Sequence, residues 1–460
     1  MRRLLISTVP LVWLLVLAVF AGDSAAQDTG PYVSARPFGT LRQQAEVQQA
    51  WLKERLEVNL PAVMRAHGVD MWVVTMREYN EDPVFRGLVS ATTFAARRRT
   101  IYVFFDRGPQ RGVERLALGG NSQGGLYEAY RAEQTTSTTQ KAELWGMDQW
   151  RLFARVVRER DPKAIAVNVS PDHNFADGLT VGEWEQMKEA LGPDLEARIV
   201  RNPRLAIDYL ALRVPSMTQT YRRLQGVVHE VISAAFSNLV VTPGQTTTED
   251  VVWWMRQRVN DMGLGTWFQP SVEVQRMGVE EADLGEHPVI QRGDVLHCDF
   301  GITAMGLNTD TQHMAYVLRD GETDAPAGLK QALARANRLQ DILLEQTKVG
   351  RTGNEVLRAV LTRMAAEGLE GTMYTHPIGD HGHAAGPLIG LWDYQEGVPG
   401  RGDVPVLANM WFSTELQVTS AVPEWNGQKV RMALEEEAEV HADGGMAWVL
   451  RRQTELHLVR

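Results

Sequence analysis

The sequence predicts an α+β protein in two parts: a smaller α/β domain, then a larger one whose antiparallel sheet is flanked by long helices. Three observations lead to that class. Over residues 71–191, apolar runs of strand length alternate with helical stretches, the pattern of an α/β domain with a parallel or mixed sheet. Around Pro203 and Pro215 the pattern changes to long amphipathic helices, two before and two after a strand-rich stretch. That stretch carries acidic residues on its strands, beginning with Asp299.

The elements follow in order. Met1-Arg2-Arg3, an apolar run over residues 4–20 and the small residues Ser24-Ala25-Ala26 read as a secretory signal peptide, residues 1–26. The expectation is an exported chain, periplasmic or secreted, with no stable membrane partner after cleavage. Residues 27–40 contain Gly, Pro and Ser and form a lead-in. The first domain takes residues 41–214. It opens with a helix over 43–67, where Trp51, Leu52, Leu56, Leu60, Val63 and Met64 share one side. Strands are expected at 71–76, 100–105, 115–118 and 164–169, and helices at 145–160 and 181–191. The second domain takes residues 215–460. Its helices are expected at 219–239, from a capping box at Thr247–Asp250 to about Gly263, at 329–347 and at 354–367.

Composition excludes several functions. The chain has 460 residues, a formal charge of -10 and a pI of about 5.7. No Lys/Arg block is long enough to track a phosphate backbone, and Arg97-Arg98-Arg99 runs straight into a strand. Nucleic acid is therefore not an expected partner. No Gly-rich phosphate loop follows any strand, so a nucleotide site has no support. The single cysteine, Cys298, leaves no intramolecular disulfide. Strand alternation turns it away from the face of Asp299, toward the core.

The chemistry gathers in the second domain. A buried strand ends at Asp299, and Asp310 follows eleven residues later, after Gly301 and Gly306 permit a reversal. Two carboxylates on neighbouring strands of one hairpin can face a common centre, which is unfavourable unless a cation or protons neutralise them. His376, His381 and His383 fall within eight positions. Glu415 lies inside a strand-like run, and an Asn426-Gly427 turn brings Glu435-Glu436-Glu437 back beside it. Alternation places Glu435 and Glu437 on one face and Glu436 on the other.

An Asp, a second Asp eleven positions on, a His, a strand Glu and a Glu on the paired strand together resemble the pita-bread metallopeptidases. That group includes methionine aminopeptidase, aminopeptidase P and prolidase, with creatinase as a metal-free relative. The likeness covers residues 215–460, and residues 41–214 are similar to the creatinase/prolidase-type N-terminal domain. It implies that Asp299, Asp310, His376, Glu415 and Glu435 hold two divalent cations such as Mn, Co or Zn. Asp310 and Glu435 would bridge them, and Glu415 would handle the proton of an activated water. His383, seven positions after His376, matches a substrate-contacting histidine, with His381 as a second candidate for that role. His297 and Thr311 would support the ligands.

The implied activity is removal of an N-terminal residue from peptides, Xaa-Pro sequences among them. The alternatives are a creatinase-like hydrolase of a small C–N bond and a peptide-binding protein without catalysis. A homodimer is compatible with the fold. The departures concern the substrate pocket. Gln312 stands where the family keeps an arginine, Leu416 replaces a proline, and Ala433 replaces an arginine, with Arg431 close by. Ala282 occupies the place of an upstream substrate histidine, and His287 is out of register.

Overall fold

Thr40 opens the first helix through a capping box with Gln43, each side chain meeting the other residue's backbone N–H. The computed structural model describes residues 36–130 and 147–460. The signal peptide, most of the lead-in and the first two residues of the helix expected at 145–160 lie outside the described residues. Helix α1 (Leu41–Glu54) passes through a π-helical turn, Arg55–Asn59, into α2 (Leu60–Ala66). Such turns are rare and tend to mark functional sites. Here the turn holds Arg55 and Asn59, both buried.

Six strands form one mixed sheet in the order β4-β3-β2-β1-β5-β6. They are β1 (Met71–Arg77), β2 (Arg99–Asp106), β3 (Val113–Leu118), β4 (Glu128–Tyr130), β5 (Ile165–Val167) and β6 (Ile199–Arg201). Period-2 alternation supplies two cores: Trp72, Val74, Tyr102 and Phe104 pack on one face, Met71, Val73, Ile101 and Val103 on the other. Helices α3 (Asp148–Arg160), α4 (Val181–Leu191) and the short α5 (Pro193–Glu196) belong to this part. Strands β4 and β6 escape the sequence pattern. Three residues each, with exposed positions, they are too short to display a period.

Helices α6 (Pro203–Ala211) and α7 (Pro215–Ala235) both begin on proline. The expected helix at 219–239 therefore starts and ends four residues early. Proline fits the first helical position because the N–H it lacks has no partner there. Helix α8 (Thr248–Asp261) has the expected capping box between Thr247 and Asp250.

The remaining strands are β7 (Ser271–Gln275), β8 (Val295–Phe300), β9 (Thr303–Ala304), β10 (Leu307–Asn308), β11 (Thr311–Val317), β12 (Glu370–Pro377), β13 (Trp411–Ala421), β14 (Lys429–Leu434), β15 (Glu437–Val440), β16 (Met446–Trp448) and β17 (His457–Val459). One sheet runs β17-β11-β8-β7; the other runs β12-β13-β15-β16, with β14 also on β13. A two-way backbone bridge between Gln312 and Glu435, 3.1 Å each way, ties the sheets together. Helices α7 and α8 cover one side. The other is covered by α9 (Ala327–Gln346) and α10 (Gly353–Ala366). This is the α+β arrangement the sequence predicts, and it surrounds the residues of interest with apolar layers. No helix among the described residues is long and apolar enough to cross a membrane.

Candidate metal centre

The hairpin β8–β11 sets the first two carboxylates. Asp299 on β8 lies opposite Gln312 on β11, and Asp310 enters just ahead of β11. The reversal between them is the small ribbon β9–β10, which turns through Met305 and Gly306 at positive φ. Strands β12 and β13 pair His376 with Ser413 and Tyr374 with Glu415, so His376 and Glu415 are diagonal neighbours. The register continues across β13 from Leu416–Leu434 to Ser413–Glu437, which brings Glu435 opposite Glu415.

These five side chains converge. Ligand atoms of Asp299, Asp310 and Glu435 lie within 4.8 Å of one another, as do those of His376, Glu415 and Glu435, and of Asp310, His376 and His383. His376 Nε2 stands 3.3 Å from Glu435 and 3.6 Å from Asp310. His376, Asp310 and Glu435 are almost wholly buried. Yet Asp299 Oδ1, Asp310 Oδ1, His376 Nε2 and Glu435 Oε1 have no hydrogen-bond partner. Buried polar atoms are rarely left so.

The electrostatics agree. Burial first, then the repulsion of Glu435, pushes Asp299 up to about 7 and Glu415 up to about 9. Burial, Glu435 and Asp299 push Asp310 well above the carboxylate range. The His376 imidazole donates from Nδ1 to the Pro377 carbonyl at 3.0 Å, which turns the Nε2 lone pair toward the carboxylates. Four carboxylates and one free imidazole nitrogen form an oxygen-rich donor set with unpartnered atoms at its centre, and that set fits divalent cations.

A second cluster behaves differently. Glu436 points the other way and accepts from His229 and His313, each at 2.8 Å, from the Gln453 N–H and from Gln225. Burial would raise this carboxyl, but the two imidazoles bring it down to about 2. His229 accepts at Nδ1 from Arg451, so its Nε2 carries the proton and has no lone pair to offer. The His229–His313–Glu436 group is a saturated hydrogen-bond network that ties α7, β11 and the C-terminal segment to the residues between β14 and β15, next to Glu435. Sequence reasoning left it out, since its members lie far apart in the chain. Glu437 accepts the Asp310 N–H at 2.8 Å and bonds Gln225. It supports Asp310 and does not face the centre, despite the alternation expected of it.

Of the other expected residues, His383 reaches the cleft. Its ring lies 4.7 Å from His376 and 5.1 Å from Trp267, and burial with neighbouring His376 lowers it to about 4. His381 does not. Its ring packs 4.7 Å from Phe175 of the first sheet's layer, because the turn through Gly379, at positive φ, and Gly382 sends the two side chains apart. Thr311 also faces away from the centre, opposite to Asp310 and Gln312 along β11. Cys298 is fully buried, and burial raises its thiol.

The cleft holds a cavity of about 490 Å³ lined by residues that include Glu273, His297, Tyr374, Trp392, Glu415 and Arg431. Arg431 enters one strand step from the vacant place at Ala433 and pairs with Glu273 at 2.5 Å. His287 lies on the surface beside Glu249 and Glu286, away from the cleft. Arg401, in a 3-10 turn before β13, was not singled out from the sequence. Burial lowers its pKa, its charge acts on Tyr374, His383 and His173 of the first domain, and it has no ion-pair partner within 4 Å among the described residues.

Fold and site together define a metallopeptidase architecture. Residues 219–442 match the model of metallopeptidase family M24. A search of the curated proteins finds no match. Among solved structures the chain is similar to the X-Pro aminopeptidase of Thermotoga maritima MSB8, with TM-score 0.57 and 14% identity over 86% of this chain and 100% of that one. It is also similar to the prolidase of Pyrococcus horikoshii OT3, with TM-score 0.52 and 13% identity over 88% and 99% of the two chains. A third neighbour is the N-terminal domain of FACT complex subunit SPT16 from chickpea, with TM-score 0.55 and 11% identity over 90% and 99%. At these identities the likeness is one of fold.

Proposed function

We propose that the protein is a metal-dependent peptidase that cleaves short peptides next to the N-terminal residue, Xaa-Pro peptides among its candidate substrates. The observation that carries this reading is the convergence of Asp299, Asp310, His376, Glu415 and Glu435 on one centre whose buried polar atoms lack partners. Glu435 is common to the group with His376 and Glu415 and the group with Asp299 and Asp310, which supports two cations rather than one. Bound divalent cations would supply Lewis-acid polarisation of the scissile carbonyl and acidify a water by several pKa units.

The chain's own residues then account for the rest. Glu415 accepts a proton from the attacking water and delivers it to the amine nitrogen as the C–N bond breaks. His383, lowered to about 4 and so neutral at neutral pH, donates an N–H to the carbonyl oxygen as charge builds there. Trp267 and Tyr374 pack beside its ring. Arg401, with no ion pair among the described residues, is suited to a substrate carboxylate, which favours dipeptides and other short substrates with a free C-terminus.

Metal analysis of the purified protein, with hydrolysis of Xaa-Pro and Xaa-Ala dipeptides before and after chelation, tests this reading. The expected result is bound Mn, Co or Zn, activity lost on chelation and activity restored by the metal. A second reading, a peptide-binding module, is favoured by the altered residues at Ala282, Ala433 and Gln312. Metal-loaded protein that binds these peptides and leaves them intact would select it. The basic, apolar and small-residue pattern of residues 1–26 supports export, and N-terminal sequencing of the mature protein tests that.

A further inference from the structure

We propose that His297 is a positioning residue for the metal-holding carboxylate Glu435, acting through the side-chain amide of Gln312. The inference rests on the metal-dependent reading above. His297 precedes Asp299 by two positions on β8, so both side chains face the cleft. Its Nε2 lies 2.9 Å from Gln312 Oε1, and Gln312 Nε2 lies 2.8 Å from Glu435 Oε2. The direction of this chain is fixed by chemistry. A carboxylate can only accept, so Gln312 must offer its NH2 to Glu435 and its oxygen to His297, and His297 must donate from Nε2.

The far end is fixed as well. His297 Nδ1 stands 3.3 Å from Glu273 Oε2, which Arg431 also grips. Both ring nitrogens therefore face polar partners in a buried position. Gln312 is itself bonded to Glu435 through both backbone groups. The amide can turn only about its side-chain torsions, and His297 is what stops it. Free to rotate, it would trade its bond to Glu435 for one to water and leave the carboxylate with fewer constraints. Gln312 and His297 thus form a support that occupies the place of the arginine missing after Asp310-Thr311.

Calorimetric titration of Mn into metal-free protein tests this without recourse to turnover. His297→Phe keeps a ring of similar volume and removes the N–H toward Gln312, so a packing role survives it and a hydrogen-bonding role does not. Affinity is expected to fall about tenfold or more, and His297→Phe is expected to add no further loss to Gln312→Ala. Retained affinity within twofold, or losses that multiply in the double variant, would overturn the proposal. If the Phe variant does not fold, His297→Gln keeps a donor toward Gln312. It is expected to bind Mn within about threefold of wild type, and a tenfold loss there overturns the assignment. Wild-type protein that takes up no Mn, Co or Zn fails the metal-dependent reading itself, whereas an intact wild type with an unaffected His297→Phe fails only this inference.

Discussion

Arg55 Nη1 lies 2.7 Å from Asp380 Oδ2, joining the π-helical turn of the first domain to the loop between His376 and His383. Arg213 Nη1 stands 3.2 Å from the other oxygen of Asp380. All three side chains are largely buried. Burial alone would raise Asp380, but the two guanidiniums hold it at about 2. Asp380→Asn strands two buried cations, and breaking a buried pair costs about 3–5 kcal/mol. A lower unfolding midpoint in denaturant should report it. The sign with pH follows from the depressed value: the carboxylate contributes stability above the ordinary aspartate range and loses it as pH falls toward about 2. Asp380→Asn should remove that part of the acid dependence.

The metal centre predicts the opposite slope. Asp299 and Glu415 are raised, to about 7 and about 9, so in metal-free protein they hold protons that the unfolded chain has released. Their contribution is complete below the ordinary carboxylate range and declines as pH rises through 7 toward 9. Metal-free protein should therefore melt at a higher temperature at pH 5 than at pH 8. Added Mn should cancel or reverse the difference, because cations replace the protons. Calorimetric melts at both pH values, with and without metal, check this.

Glu415→Gln removes the proposed proton acceptor while keeping the side chain's shape on β13. The fold should be retained, the pH dependence of metal-free melting should lessen because one raised carboxyl is gone, and kcat should fall by roughly 10²–10⁴. Turnover near wild type in this variant would shift the proton-handling role elsewhere.

Much of this was legible because the residues obey short-range rules. Asp299 and Asp310 stand at the ends of one hairpin, His376 and His383 flank one turn, and Glu415 sits on a strand whose Asn426-Gly427 reversal fixes its partner. What was not legible depends on contacts between distant elements. The Gln312–Glu435 bridge joins two sheets across 123 positions, and no local pattern announces it. Glu436 joins imidazoles from α7 and β11, so its role among three consecutive glutamates is decided by packing. His381 and His383 share a loop, yet His381 packs on Phe175 while His383 meets His376 and Trp267, a difference set by tertiary packing. Helix α7 begins four residues before its expected start because Pro215 sits at its first position.

Arg401 yields the most discriminating prediction about substrate. It is a half-buried guanidinium with no ion pair among the described residues, within electrostatic reach of His383 and Tyr374. Desolvating a cation without a partner is unfavourable, so a substrate that brings an anion gains what the free protein lacks. A hydrogen bond to a charged group contributes about 1.5–3 kcal/mol, which at roughly 1.4 kcal/mol per tenfold predicts KM rising about 10- to 100-fold in Arg401→Gln. The rise should appear for a dipeptide with a free C-terminal carboxylate and be absent for its C-terminal amide, with kcat similar in both. Equal losses on the two substrates would mean that Arg401 orders the cleft rather than reading the carboxylate. An unchanged KM on both would place the recognition of the substrate's C-terminus on another residue, such as Arg431, a cation lining the cavity and already committed to Glu273.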